Sequence, residues 1–283
     1  MLKPTQTIFY GEIEGALLEA DFYQSIDHHR HKTIIYIHGG GLIYGSRDDL
    51  PKEYVKLFLE NGYNFLAIDY PLCPESKLND ILHSCEQALD WFTNHAVREL
   101  NLHSNEYILF GRSSGGFLSN YLTARYKGKK PLKLISLYSY FSLEHPGLSL
   151  PNPHYQSLTA IPAQIVERSI QANPLTSGSI HKRYSIYMYY RQKGEWISNL
   201  LDSGSSAGNY SLSDDELAKF PPTFLAVSNH DQDVPPEMTY HLAKVIPQTM
   251  CYKVSNQVHD FDRDTQKTES SILYQSIIHW LSL

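Results

Sequence analysis

Cysteine is scarce in this sequence, and its three copies, Cys73, Cys85 and Cys251, are scattered. That excludes a disulfide scaffold and suits a reducing compartment. Charge is sparse too: 19% of residues are charged, and the formal net charge is -6. No long basic run is present, so no nucleic-acid partner is expected. Uninterrupted apolar runs are missing as well. None is long enough to span a bilayer, and the opening stretch 1–15 lacks the apolar core of a signal peptide. A cytoplasmic chain without a membrane partner is expected. What the sequence does hold is 42% hydrophobic residues over 283 positions, enough for one large domain or for one domain carrying an insertion.

Strand and helix patterns then alternate. Two alternating segments, Thr5–Tyr10 and Ala16–Tyr23, read as antiparallel edge strands. Apolar runs at Thr33–Ile37, Tyr63–Ile68, Tyr107–Phe110, Leu132–Tyr138, Thr223–Val227 and Thr249–Val254 read as strands buried on both faces. Helices are expected at Pro51–Glu60, around the apolar stripe Ile81, Cys85, Ala88, Leu89 and Phe92, after residue 113, at Glu237–Ile246 and from Asp264 onward. This alternation predicts an α/β fold with a mostly parallel central sheet and helices on both faces. It breaks at Phe141–Phe220, a stretch too long for a plain loop. The expected division is therefore a core of residues 1–140 and 221–283, with 141–220 inserted as a helical cap.

Gly111-Arg112-Ser113-Ser114-Gly115 fits G-x-S-x-G between a strand and a helix. A serine in that strained turn stands clear of the sheet, and bulky residues two positions away on either side would clash. Upstream, His38-Gly39-Gly40-Gly41 ends another strand. Backbone N–H groups without side chains can approach a developing oxyanion, which makes Gly40, Gly41 and Ser114 candidate donors. The alternative is a tight glycine turn; a phosphate loop is disfavoured because no G-x-G-x-x-G or Walker lysine accompanies it. A serine nucleophile also needs a histidine base and a carboxylate to orient it. Of 14 histidines, His259 lies in the loop between the last strand and the last helix, where the base belongs. Asp231 and Asp233 both follow the strand Thr223–Val227; Asp231 is preferred, and spacing alone leaves Asp233 open.

Together these motifs, with Asp69-Tyr70-Pro71-Leu72-Cys73-Pro74-Glu75, resemble the hormone-sensitive-lipase-like bacterial carboxylesterases of the α/β-hydrolase superfamily. The resemblance covers roughly residues 33–140 and 221–283. It implies Ser113, Asp231 and His259 as a catalytic triad and Gly40, Gly41 and Ser114 as the oxyanion hole. Two departures stand out: Arg112 replaces an acidic residue, and Pro71 replaces an arginine, so a charge contact is expected to be lost or rearranged.

The expected function is hydrolysis of a small carboxylic ester through an acyl-enzyme, chemistry that needs no metal and no organic cofactor. An amidase of the formamidase type or a serine peptidase shares the same residues, and a non-catalytic ligand receptor shares the fold. The cluster His28-His29-Arg30-His31 lacks accompanying acidic or cysteine ligands and reads as a solvated loop. Tyr184, Tyr187, Tyr189 and Tyr190 suit either a substrate pocket or packing of the cap onto the core. Oligomeric state is not legible.

Overall fold

A strand buried on both faces must send alternate side chains into two different cores, and the central strands here do so. The computed structural model describes residues 2–27, 31–255 and 258–283; the expected loop residues His28, His29 and Arg30 lie outside them. Its sheet has eight strands: β1 (Gln6–Ile13), β2 (Ala16–Tyr23), β3 (Thr33–Ile37), β4 (Asn64–Ile68), β5 (Tyr107–Arg112), β6 (Lys133–Leu137), β7 (Thr223–Ser228) and β8 (Thr249–Val254). The spatial order is β1-β2-β4-β3-β5-β6-β7-β8. β2 runs antiparallel to β1 and β4, and all other neighbours are parallel.

Ile35 and Ile37 of β3, with Leu66 and Ile68 of β4, enter a core shared with helices α2 (Leu78–Glu99) and α3 (Ser114–Arg125). Ile34 and Tyr36, with Phe65 and Ala67, enter the opposite core, covered by α1 (Lys52–Glu60) and the last helix (Thr268–Ser282). That last helix starts four residues later than expected from the sequence. The intervening residues form turns instead: Asp264 Oδ1 accepts the Gln266 N–H at 3.0 Å, a local bond that competes with helix.

Between β6 and β7 the chain builds α4 (Pro146–Ser149), α5 (Pro153–Gln156), α6 (Ala163–Ser169), α7 (Ile180–Lys193), α8 (Trp196–Leu200) and α9 (Asp214–Leu217). α10 (Pro236–Val245) follows β7, and the last helix is α11. Tyr155, Ile186, Tyr187, Tyr190 and Trp196 of the β6–β7 segment join the α2–α3 core rather than a core of their own. A buried ion pair secures the junction. Arg183 of α7 meets Glu75 at 2.8 and 2.6 Å and also donates to the carbonyls of Ile43 and Cys73. No helix among the described residues is long and apolar enough to cross a membrane.

Candidate active site

Four loops at the carboxyl ends of the parallel strands carry the site, where open α/β sheets place their crevice. The first is the turn between β5 and α3. Ser113 occupies it with φ 54° and ψ -123°, a strained conformation for a residue with a side chain. Its neighbours must be small. A methyl group on Gly111 would fall 2.1 Å from the Gly115 carbonyl oxygen, and one on Gly115 would fall 2.2 Å from that of Ile37.

The second and third loops bring the partners. His259, between β8 and α11, places Nε2 2.8 Å from Ser113 Oγ and Nδ1 2.7 Å from Asp231 Oδ2. The other oxygen of Asp231 accepts the N–H groups of Asp233 and Val234, both at 2.9 Å, so the carboxylate is aimed before the imidazole arrives. The two aspartates left open by spacing are thus separated by geometry. Asp233 lies on the opposite side of the ring, with Oδ2 4.0 Å from Nε2 and Oδ1 accepting the Tyr187 hydroxyl at 2.6 Å.

Burial would push the His259 imidazolium pKa down, but Asp231 by charge and hydrogen bond, then Asp233 and Asp260, outweigh it and raise it to about 10. Asp260 Oδ1 is 3.9 Å from Nε2, and its other oxygen pairs with Arg263.

Opposite Ser113 the loop after β3 supplies the glycines. Gly40 and Gly41 have φ 98° and 61°, left-handed values that favour glycine. Their carbonyls are occupied: Ile43 and Tyr44 donate to Gly40, and Trp196 Nε1 donates to Gly41 at 3.0 Å. Their N–H groups take no partner among the described residues. Ser114 stands at the first turn of α3, where backbone donors have no intrahelical acceptor. The arrangement offers a hydroxyl that can lose its proton to a histidine, with the glycine loop packed alongside at Gly39.

A family model described as alpha/beta hydrolase fold matches residues 34–263, most of the chain. The chain belongs to the α/β-hydrolase fold family. Two solved structures cover nearly all of this α/β hydrolase. A protein of unknown function from Staphylococcus aureus is 26% identical with a TM-score of 0.84, covering 94% of each chain. An alpha/beta hydrolase superfamily protein from Enterococcus faecalis is 28% identical with a TM-score of 0.82, covering 94% of this chain and 95% of that one. Carboxyl esterase 2 of Tuber melanosporum shares the fold at 20% identity and TM-score 0.68, covering 96% of this chain and 84% of its own. Among curated relatives, the non-reducing polyketide synthase ausA of Penicillium brasilianum is 32% identical over 212 residues, which is 68% of this chain. The chain spans only 8% of that synthase.

Within this α/β hydrolase, the departure at Arg112 has a structural explanation. The guanidinium is buried, donates to the Tyr138 hydroxyl at 2.6 Å and pairs with buried Asp262 at 3.0 Å. Asp262 also accepts the hydroxyls of Tyr138 and Tyr274, each at 2.7 Å. The charge has been rearranged: a cation under Ser113 now grips the loop that carries His259. At the other departure, Asp69 takes its cation from Arg47, which also pairs with Glu19 and Asp21.

Sequence reasoning did not find Trp196, Arg112–Asp262 or Tyr138, whose ring edge lies against His259 with centroids 4.9 Å apart. Trp196 sits in a stretch without periodicity, and a pair 150 positions apart leaves no local signal. Of the tyrosines in the β6–β7 segment, Tyr187 and Tyr190 are both buried in the core, and Tyr187 also donates to Asp233 at 2.6 Å.

A cavity of about 460 Å³ opens beside Gly40, with Tyr44, Ser46, Asp49, Ser179, His181 and Arg263 on its walls. Ser113 does not line it, so it adjoins the reacting centre rather than containing it.

Proposed function

We propose that this α/β hydrolase is a serine esterase that cleaves small carboxylic esters through an acyl-enzyme. The observation that carries the reading is the hydrogen-bonded sequence Ser113 Oγ, His259 Nε2, His259 Nδ1, Asp231 Oδ2, with links of 2.8 and 2.7 Å. Ser113 Oγ attacks the ester carbonyl carbon while Nε2 takes its proton. The carbonyl oxygen receives the electron pair and is held by the N–H groups of Gly40, Gly41 and Ser114. The adduct collapses, the bond to the alcohol breaks, and Nε2 returns the proton to the departing oxygen. Water then repeats both steps on the acyl-enzyme, releasing the acid and restoring Ser113.

Asp231 holds the tautomer that presents a bare Nε2, and it stabilises the imidazolium that forms. The segment 141–220 acts as a cap over this site. The adjoining cavity of about 460 Å³, whose walls mix Tyr44 and Ile180 with Ser46, Asp49, His181 and Arg263, has room for a small substrate group beside the glycine loop. The three cysteines stand free, which suits the reducing, cytoplasmic location expected from the sequence.

Hydrolysis of p-nitrophenyl esters from acetate to decanoate tests the reading. Turnover should be highest for the short chains and fall by roughly 10⁴–10⁶ in Ser113→Ala. Full turnover by that variant would overturn the assignment of the nucleophile.

A further inference from the structure

A run of three glycines is conformationally loose by composition, yet oxyanion donors stabilise charge only if they are fixed before it develops. The loop 39–41 therefore needs anchors from outside. Tyr70 places its hydroxyl 2.9 Å from the His38 carbonyl and 3.1 Å from that of Gly39. The Gly41–Leu42 peptide is held at both ends: its carbonyl accepts Trp196 Nε1 at 3.0 Å, and its N–H donates to Ser114 Oγ at 3.3 Å. Because a peptide unit is planar, holding both ends fixes its orientation. Tyr187 covers the same residue, so close that a methyl group on Gly41 would sit 2.4 Å from its ring.

Trp196 is itself immobilised. It is 1% exposed. Tyr140 and Tyr187 meet it edge to face, with centroids 5.9 and 5.4 Å away, and the Arg191 guanidinium lies 4.8 Å over its ring. Arg191 also donates to the Asp233 carbonyl at 2.8 Å. One aromatic cluster therefore touches the glycine loop on one side and the loop carrying Asp231 on the other.

We propose that Trp196 is a positioning residue: its indole N–H fixes the Gly41–Leu42 peptide and thereby preforms the oxyanion hole. The inference rests on the esterase reading above. It makes the β6–β7 segment part of the catalytic framework as well as a cover. A buried indole must find some acceptor whatever its role, so the test has to separate positioning from mere satisfaction of a polar group.

Trp196→Phe keeps an aromatic ring and removes the donor. Active sites are counted by titration with a p-nitrophenyl phosphonate, and turnover is expressed per titrated site. The expected result is kcat lower by about tenfold with KM within twofold, less than the ~10²–10³ lost when an oxyanion donor itself is deleted. Affinity for a trifluoromethyl ketone, whose serine adduct carries the oxyanion, should fall by the same factor. Ser114→Ala removes the other anchor of the same peptide and should show the same pattern, so the test survives if Trp196→Phe does not fold. Unchanged kcat per site and unchanged ketone affinity in either folded variant would overturn the inference alone. A wild-type chain that neither reacts with the phosphonate nor turns over ester would overturn the esterase reading and this inference with it.

Discussion

At the scale of single residues, His259 is surrounded by more negative charge than the proposed role of base requires. Asp231 faces Nδ1, while Asp233 and Asp260 each bring an oxygen within 4.0 Å of Nε2. The positive groups nearby are Arg263 on Asp260 and Arg191 3.6 Å from Asp233. Arg112 acts through Asp262. A base works only when neutral, and a pKa raised from 6.5 to about 10 keeps the imidazole protonated well above neutrality. We therefore expect kcat/KM to climb through the mildly alkaline range rather than level off near pH 7. Asp233→Asn should move that acid limb to lower pH, as a pH-rate profile would record. The sign for stability is opposite. A raised folded pKa contributes stability that is fully present below 6.5 and is lost as pH rises toward about 10.

The residues of this site differed in how well the sequence revealed them. Ser113 was legible because steric rules fix its neighbours, and His259 because chain order places it. Asp231 was preferred but not secured. Which of Asp231 and Asp233 faces His259 Nδ1 depends on loop geometry that residue spacing does not encode.

At the scale of elements, the strands and the helices outside the β6–β7 segment followed from periodicity, with ends displaced by a few residues, whereas the 14-residue α7 was not placed. The short helices between β6 and β7 did not. α4, α5 and α9 have four residues each, less than the two turns over which an apolar stripe becomes visible. What holds that segment is chemistry rather than pattern. Arg183 and Glu75 are both almost fully buried, so removing one partner leaves an uncompensated charge. Arg183→Met should cost about 3–5 kcal/mol in urea denaturation, and adding Glu75→Gln should recover part of that loss. Arg125 of α3 and Glu216 of α9 form a second tether, with the Glu216 carboxyl lowered to about 2, its hydrogen bond from Arg125 being the largest cause. That pair is partly exposed and contributes less.

At the scale of the whole molecule, the alternation of apolar positions was enough to predict one parallel sheet with two covered faces. It could not show that the inserted segment would share the α2–α3 core, because continuity between distant apolar clusters depends on how loops close.

Arg112 and Asp262 connect the sheet to the loop after β8 beneath its surface, and this has a kinetic consequence. Opening residues 258–263 alone would strand a buried guanidinium, so that loop should not breathe independently of the sheet. Asp262→Asn is therefore expected to speed hydrogen–deuterium exchange across residues 258–263 while the β5 amides stay protected. The proposed base would then be lost only together with the sheet that carries Ser113.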